Sequence, residues 1–171
     1  FIGNYSSGKM GFALAEACAE RGAEVTLVAG PVSLKTHHPA IKRIDVESAG
    51  EMYQAAMTAF PSSDAAILCA AVADYRPENA SEQKIKRETE REMTLHLVPN
   101  PDIAASLGAI KREGQVMVGF ALETNDEATH AEGKLKRKNL DFIVLNSLRD
   151  QGAGFRCDTN KITIIDNAGG V

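Results

Sequence analysis

The 171-residue chain has few cysteines, no tryptophan and no long apolar run, and these shortages exclude several classes of protein. Cys18, Cys69 and Cys157 are too scattered for a disulfide framework or a zinc site, which predicts free thiols in a reducing compartment, the cytoplasm. No apolar run approaches about 18 residues, so no membrane partner is expected. The net charge of −4 gives no support to a general nucleic-acid-binding protein.

The composition is sufficient for one apolar core. Hydrophobic residues make up 44% of the chain, and a chain of this size buries roughly 68–70% of its unfolded surface. We see no linker or repeat, so residues 1–171 are predicted to form one domain. Because the first residue is Phe1 rather than Met, a fragment or a chain without its natural start is expected.

Short β-branched runs alternate with helical patterns. The helical patterns cover Met10–Arg21, Ser48–Phe60, Pro101–Arg112 and Asn125–Lys138. The strand-length runs are Val25–Val28, Ile41–Val46, Ala65–Cys69, Thr94–Val98, Gln115–Phe120, Phe142–Leu145 and Lys161–Ile165. This alternation predicts an α/β fold with a Rossmann-like parallel sheet and helices on both faces. Ala80–Leu97 breaks the pattern and predicts an inserted β-arm, and a second strand pair is expected around Phe155–Ile165.

Ligands of such a sheet bind where its strands end and helices begin. Gly3–Met10 nearly spells a phosphate-binding P-loop, but Met10 stands where that loop needs a hydroxyl for magnesium. Ser6, Ser7 and Gly8 fit either an anion-binding nest of backbone N–H groups or a plain helix cap formed by Ser7. The sequence also lacks the G-x-G-x-x-G fingerprint of nicotinamide-binding proteins.

Two further segments have both a binding and a structural interpretation. Asp74 follows a predicted buried strand, where it fits either a contact to a sugar hydroxyl or base amino group, or an ordinary turn before Pro77. Lys84 and Lys86 alternate within the arm, so that both side chains point to one side of an extended strand. They fit either a polyphosphate site or the protection of an exposed edge strand.

The candidate residues from Asn100 onwards also have both a binding and a structural interpretation. Asn100–Ile103 forms a strand-to-helix corner with Asn100 as a possible cap and Pro101 at the first helical position. Phe120 fits a core position or stacking on a base. Lys134 and Lys138 share a helix face, where they fit either a phosphate clamp or cations that complement the helix dipole. The four histidines have no zinc-site spacing, and no metal ligand is assigned.

Five ordered motifs together resemble those of bacterial phosphopantothenoylcysteine synthetase, also called phosphopantothenate–cysteine ligase. They are Asn-x-Ser-Ser-Gly-Lys-Met-Gly at Asn4–Gly11, Ala-Ala-Val-Ala-Asp-Tyr at Ala70–Tyr75, Lys-Ile-Lys at Lys84–Lys86, Asn-Pro-Asp-Ile at Asn100–Ile103 and Gly-Phe-Ala-x-Glu-Thr at Gly119–Thr124. In many bacteria this enzyme is the C-terminal half of a bifunctional protein whose other half is a flavin-dependent decarboxylase. The chain lacks the family's usual opening strand-turn, its C-terminal helix looks truncated, and no flavin is expected in this domain.

The resemblance implies a role in coenzyme A biosynthesis and a reaction in two steps. The carboxylate of 4′-phosphopantothenate attacks the α-phosphate of CTP, giving an acyl-cytidylate and pyrophosphate. The amine of cysteine then attacks the activated carbonyl, giving 4′-phosphopantothenoylcysteine and CMP. Mg²⁺ is expected on the triphosphate. The resemblance also implies a homodimer with the arm as a dimer element, and fusion to or association with the decarboxylase.

Residue roles carry over by position. Asn4 and Lys84 correspond to catalytic positions, with Asn4, Ala70 and Ala71 also at the phosphopantothenate substrate. The positions that correspond to nucleotide contacts are Ser6, Ser7, Gly8, Leu68, Cys69, Ala70, Asp74, Lys84, Lys86, Asn100, Pro101, Asp102, Ile103, Phe120, Lys134 and Lys138. Two rival functions are an NADPH-dependent reductase and a non-catalytic nucleotide-binding module on a similar sheet, and the missing glycine fingerprint argues against the reductase.

Overall fold

Helices and strands alternate along the chain as the sequence predicts. The structure is a computed structural model that describes residues 3–4, 6–81, 83, 93–123, 127–147, 162–167 and 170. The helices are α1 (Lys9–Glu20), α2 (Ala49–Ala59), α3 (Ile103–Ile110) and α4 (Glu127–Arg137), and a short 3₁₀ turn, Phe60–Ser62, follows α2. The strands are β1 (Val25–Ala29), β2 (Ile41–Asp45), β3 (Ala65–Leu68), β4 (Tyr75–Pro77), β5 (Leu97–Pro99), β6 (Val116–Glu123), β7 (Phe142–Ser147) and β8 (Ile162–Asp166).

The strands form a parallel pair, a mixed four-stranded sheet and an antiparallel pair. β1 and β2 pair in parallel, and β3, β6 and β7 pair in parallel in a four-stranded sheet of order β3-β6-β7-β8. β8 adds to β7 in the antiparallel direction. The predicted Rossmann-like α/β class is therefore confirmed, with parallel strands, helices and an inserted β-element.

The inserted element begins earlier than the sequence predicts. Its base is the antiparallel pair β4–β5, in which Tyr75 lies opposite Pro99 and Pro77 opposite Leu97. The predicted arm starts at Ala80, because a three-residue strand that ends in proline gives little strand signal in the sequence. Lys84 and Lys86 lie outside the described residues.

Two of the predicted helix starts are corrected. α1 has Gly8 as its N-cap rather than Ser7, because Gly8 adopts the left-handed conformation (φ 75°) while the Ser7 hydroxyl accepts a hydrogen bond from the Lys9 N–H at 3.4 Å. α3 begins at Ile103 rather than at Pro101, and Asp102 is its cap.

α2 begins with a capping box formed by Ser48 and Glu51. The Ser48 hydroxyl accepts a hydrogen bond from the Glu51 N–H at 3.1 Å, and the Glu51 carboxylate accepts one from the Ser48 N–H at 3.3 Å. This reciprocal arrangement satisfies two N–H groups that the first turn of a helix leaves without partners.

The main core lies between the four-stranded sheet and the helices that pack on it. Leu107 of α3, Met117 of β6 and Ile143 of β7 are at most 1% exposed. Alternation along β6 places Met117, Gly119 and Ala121 on this buried face. Burial of a large apolar side chain contributes roughly 1.5–3 kcal/mol, so these few positions determine which face of the sheet the helices cover.

β6 is longer than predicted. It continues to Glu123, because Ala121–Glu123 pair with Leu145–Ser147 of β7. Phe120 consequently lies within the strand, opposite Val144, and not at its end. Within the part of the chain that is described, no helix has the length and apolarity needed to cross a membrane.

Candidate functional site

Three of the predicted site segments meet after the end of β3. The Asn4 amide donates to the carbonyl oxygens of Ala71 at 3.4 Å and Val72 at 3.3 Å. The Asn100 amide donates to the Ala73 carbonyl at 2.8 Å, and the Asn100 N–H donates to the Asp74 carbonyl at 2.7 Å. The stretch after β3, which includes the first two residues of β4, is thus held by an asparagine on each side, and we call it the 70–76 loop.

Arg76 strengthens the link between the 70–76 loop and the end of β5. Its guanidinium donates to the Pro99 carbonyl at 2.6 Å and to the Asn100 side-chain oxygen at 3.3 Å. Sequence reasoning missed this residue, because an arginine in a short exposed strand gives no signal of its partner 23 or 24 residues away. Arg76 and Asn100 fix the corner between β5 and α3 against the loop.

Asp102 occupies the next position of this corner and has two partners. One carboxylate oxygen accepts a hydrogen bond from the Ala105 N–H at 3.0 Å, and the other lies 3.0 Å from the Lys138 ammonium. Burial raises the pKa of Asp102, but the hydrogen bonds from Ala105 and Lys138 outweigh it and lower the pKa below its ordinary value. The carboxylate is therefore ionised at neutral pH.

The segment before α1 has two serine hydroxyls bonded to its own backbone. The hydroxyls of Ser6 and Ser7 accept weak hydrogen bonds from the N–H groups of Gly8 and Lys9, at 3.3 and 3.4 Å. A side chain on Gly8 would be strained at φ 75°, and its Cβ would lie 3.1 Å from Val32. A left-handed glycine directly before a helix is compatible with the nest predicted for Ser6–Gly8.

The end of β3 packs tightly against α1. A Cβ on Gly11 would lie 3.1 Å from the Cys69 sulfur, so the helix approaches the strand closely at this point. Burial raises the pKa of the Cys69 thiol, and a hydrogen bond from its own backbone opposes this only in part. Cys69 and Cys18 are free thiols, as predicted, and Cys157 lies outside the described residues.

Other predicted site residues lie along the sheet, in the 70–76 loop and on α4. Leu68 pairs with Gly119, so Phe120 lies one residue further along the sheet, at the level of Cys69, and is half-buried. Asp74 and Ala70 are exposed and Ala71 is half-buried. Lys134 lies half-buried in the last turn of α4, one turn before Lys138.

A cavity that the sequence did not indicate lies at the ends of β1 and β2. Its volume is about 400 Å³, and it is lined by Gly30, Pro31, Val32, Asp45, Val46, Glu47 and Glu51. Two of its carboxylates have partners: Asp45 pairs with Arg43 at 2.6 Å, and Glu51 accepts from the Glu47 N–H at 2.7 Å. Among the residues that the structure describes, no three His, Cys, Asp or Glu side chains lie together as metal ligands would.

Comparison with known proteins gives a family and close relatives. The family model for the DNA/pantothenate metabolism flavoprotein C-terminal domain matches residues 1–171. A protein named Cysteine/Cysteine sulfinic acid decarboxylase, from an unknown prokaryotic organism, is 58% identical over 171 residues, all of this chain and 47% of that protein. Coenzyme A biosynthesis bifunctional protein CoaBC of Vibrio parahaemolyticus is 52% identical over 165 residues, 96% of this chain and 41% of that protein.

A solved structure agrees with these sequence matches. The crystal structure of the C-terminal domain of Coenzyme A biosynthesis bifunctional protein CoaBC superposes with a TM-score of 0.78 and 36% sequence identity, covering 98% of this chain and 72% of that one. The chain spans less than half the length of the two relatives named above. With the fold, the motif positions and the full-length family match in agreement, the chain belongs to the DNA/pantothenate metabolism flavoprotein C-terminal domain family.

Proposed function

We propose that the chain catalyses the CTP-dependent ligation of 4′-phosphopantothenate with cysteine, as a step of coenzyme A biosynthesis. One observation supports this most directly: Asn4, the 70–76 loop and the Asn100–Asp102 corner are joined by hydrogen bonds into one cluster. These are three of the five motifs that resemble the ligase. The names of the CoaBC relatives support the pathway.

The proposed chemistry converts a poor leaving group into a good one. A carboxylate oxygen of phosphopantothenate forms a bond to the α-phosphorus of CTP, and the bond from that phosphorus to the pyrophosphate oxygen breaks. The cysteine amine then forms an amide bond to the activated carbonyl, CMP leaves with its phosphate oxygen, and the amine gives up a proton. Such a reaction needs positioning and charge neutralisation more than a protein nucleophile.

Different residues would position the nucleotide and neutralise its charge. The exposed Asp74 carboxylate would accept hydrogen bonds from the nucleotide, and the backbone of Leu68–Ala70 would read the cytosine edge. Phe120 lies at that level of the sheet and would line the pocket. Lys138 would neutralise part of the negative charge of the triphosphate. Lys84 is proposed to neutralise the phosphate of the activated intermediate. Magnesium would arrive with the triphosphate.

We propose that the CoaBC relatives carry a second activity outside the region that this chain matches. The CoaBC relatives are named bifunctional and are more than twice as long as the matched region, so we place their second activity in the remaining part. We also propose that two copies associate through the arm that begins with β4 and β5, because the short exposed pair offers strand edges for pairing.

The test is an assay of both half-reactions. Protein, CTP, Mg²⁺ and 4′-phosphopantothenate without cysteine should release pyrophosphate and leave acyl-cytidylate on the protein, and added cysteine should release CMP and the amide product, identified by mass spectrometry. Asp74→Ala should reduce the rate, whereas Asp64→Asn, before the opposite end of β3, should leave it unchanged. A folded full-length protein that releases no pyrophosphate with all substrates present would refute the proposal.

The name of one relative suggests a second candidate, decarboxylation of cysteine or cysteine sulfinic acid. That name describes a protein of which this chain covers 47%, so it does not assign the chemistry to this region. Release of carbon dioxide from cysteine, without any need for CTP, would favour this candidate over the ligase.

A further inference from the structure

The ion pair between Asp102 and Lys138 connects two parts of the proposed site that are 36 residues apart in sequence. The Lys138 ammonium lies 3.0 Å from one Asp102 oxygen, and the two side chains are 23% and 49% exposed respectively. A pair this exposed contributes only about 0–1 kcal/mol to folding, so stability alone explains little of it.

The surrounding packing determines where Lys138 can reach. The turn after α4 lies directly on α3, because a Cβ on Gly108 would overlap the Lys138 carbonyl oxygen and lie 2.9 Å from its carbon. The Asn139 amide donates to the Gly108 carbonyl at 3.0 Å, and the Lys111 ammonium donates to the Asn139 carbonyl at 3.0 Å. With its backbone fixed beside the last turn of α3, Lys138 extends its side chain to Asp102, the N-cap of that helix.

The Asp102 carboxylate is shared between the helix and the lysine. One oxygen caps α3 through the Ala105 N–H, which fixes the carboxylate, and the other faces Lys138. An ammonium group carries three protons, so Lys138 can donate to Asp102 and to a phosphate oxygen at once. The corner that holds Asp102 is itself tied to the 70–76 loop by Asn100.

We propose that Asp102 is a positioning residue that holds the Lys138 ammonium at the start of α3, ready for the β- and γ-phosphates of CTP. This proposal rests on the proposed function, because it takes CTP as the ligand. It differs from a direct contact between Asp102 and the nucleotide: Asp102 acts through Lys138, and its charge matters only while Lys138 is present.

The test is a double-mutant cycle measured by calorimetric binding of Mg·CTP and CMP to the full-length protein. Lys138→Met should weaken CTP binding about tenfold, and Asp102→Asn, which retains a good helix cap, about threefold. The double variant should bind CTP within about twofold of Lys138→Met, because the two residues act as a unit. CMP, which has no β- or γ-phosphate, should bind all variants alike, and the matched control Asp64→Asn should bind CTP as the wild type does.

Each other result has a definite meaning. CTP affinity that is unchanged or increased in Asp102→Asn, or losses that add up in the double variant, would overturn the proposal. If Asp102→Asn folds poorly, Asp102→Ser, which also caps a helix without charge, replaces it in the same cycle. If the wild type binds CTP and the variants give the expected double-mutant cycle, but the wild type releases no pyrophosphate, the proposed ligase activity is refuted and the positioning role of Asp102 is retained. A wild type that does not bind CTP overturns both.

Discussion

Gly108 is the position where the smallest change should have the largest effect on the fold. It lies in the last turn of α3, where helix propensity favours alanine over glycine by up to about 1 kcal/mol. Here the added methyl group would overlap the Lys138 carbonyl oxygen and lie 3.2 Å from the Asn139 Cβ. Backbone atoms cannot rotate away as a flexible side chain can, so the helix and the turn must separate.

The expected cost follows from what the separation breaks. Inserting a methyl group into a packed contact costs about 1–3 kcal/mol. Losing the Asn139–Gly108 hydrogen bond and the Lys111–Asn139 hydrogen bond adds about 1 kcal/mol for each. After subtraction of the gain in helix propensity, Gly108→Ala should lower the free energy of unfolding by about 2–4 kcal/mol.

Urea unfolding and thermal melting of Gly108→Ala measure this cost. The midpoint should fall at an unchanged denaturant slope, and the melting temperature should drop by at least about 5 °C. Gly133→Ala is the matched control, because a Cβ on Gly133 of α4 meets no described atom within 4 Å. It should stabilise the protein by about 0.5–1 kcal/mol. A Gly108→Ala variant as stable as Gly133→Ala would refute the close approach of α3 to the turn.

Three further outcomes are expected. Burial raises the Asp141 pKa, but the Lys111 ammonium at 2.8 Å and the Met117 N–H at 2.7 Å lower it overall. The carboxylate therefore stabilises the fold above its unfolded pKa of about 3.9, and this contribution is lost as the pH falls through the folded value. Asp141→Asn should therefore cost about 1–3 kcal/mol at pH 7 by chemical unfolding, with the difference shrinking in acid, and a difference independent of pH would contradict this. Lys84→Gln should reduce turnover by at least about tenfold, or roughly 1.4 kcal/mol of transition-state stabilisation, and unchanged turnover would favour edge protection instead. Asn4→Asp removes the amide that donates to the Ala71 and Val72 carbonyls and puts a carboxylate beside the proposed acyl phosphate, so the second step should slow and acyl-cytidylate should accumulate. Mass spectra of a folded variant without that species would argue against the role of Asn4.

Local signals were sufficient where the structure depends on neighbours in sequence. Ser48 and Glu51 are three residues apart, and their capping box follows from that spacing alone. The alternation of strands and helices likewise predicted the fold class. By contrast, Ala121–Glu123 have low strand propensity, and they become part of β6 only because β7 pairs with them.

The site was predictable as a set of segments but not as a set of contacts. The motifs mark the residues, and the parallel sheet predicts that they share an edge. The bonds that join them, from Asn100 to Ala73 and from Asp102 to Lys138, span 27 and 36 residues. Arg76 and Gly108 were missed for the same reason, because each makes its decisive contact with a residue far away in sequence.

The start of α3 shows how one such long-range contact affects the proposed function. Asn100 and Asp102 are both good cap residues, so the sequence alone could not choose between them. The structure uses Asp102 because the Asn100 side chain is bonded to the 70–76 loop instead. That choice leaves Asn100 to hold the loop and places a charged carboxylate, rather than a neutral amide, opposite Lys138. A shift of two residues in a helix start thus creates the ion pair on which the proposed triphosphate contact depends.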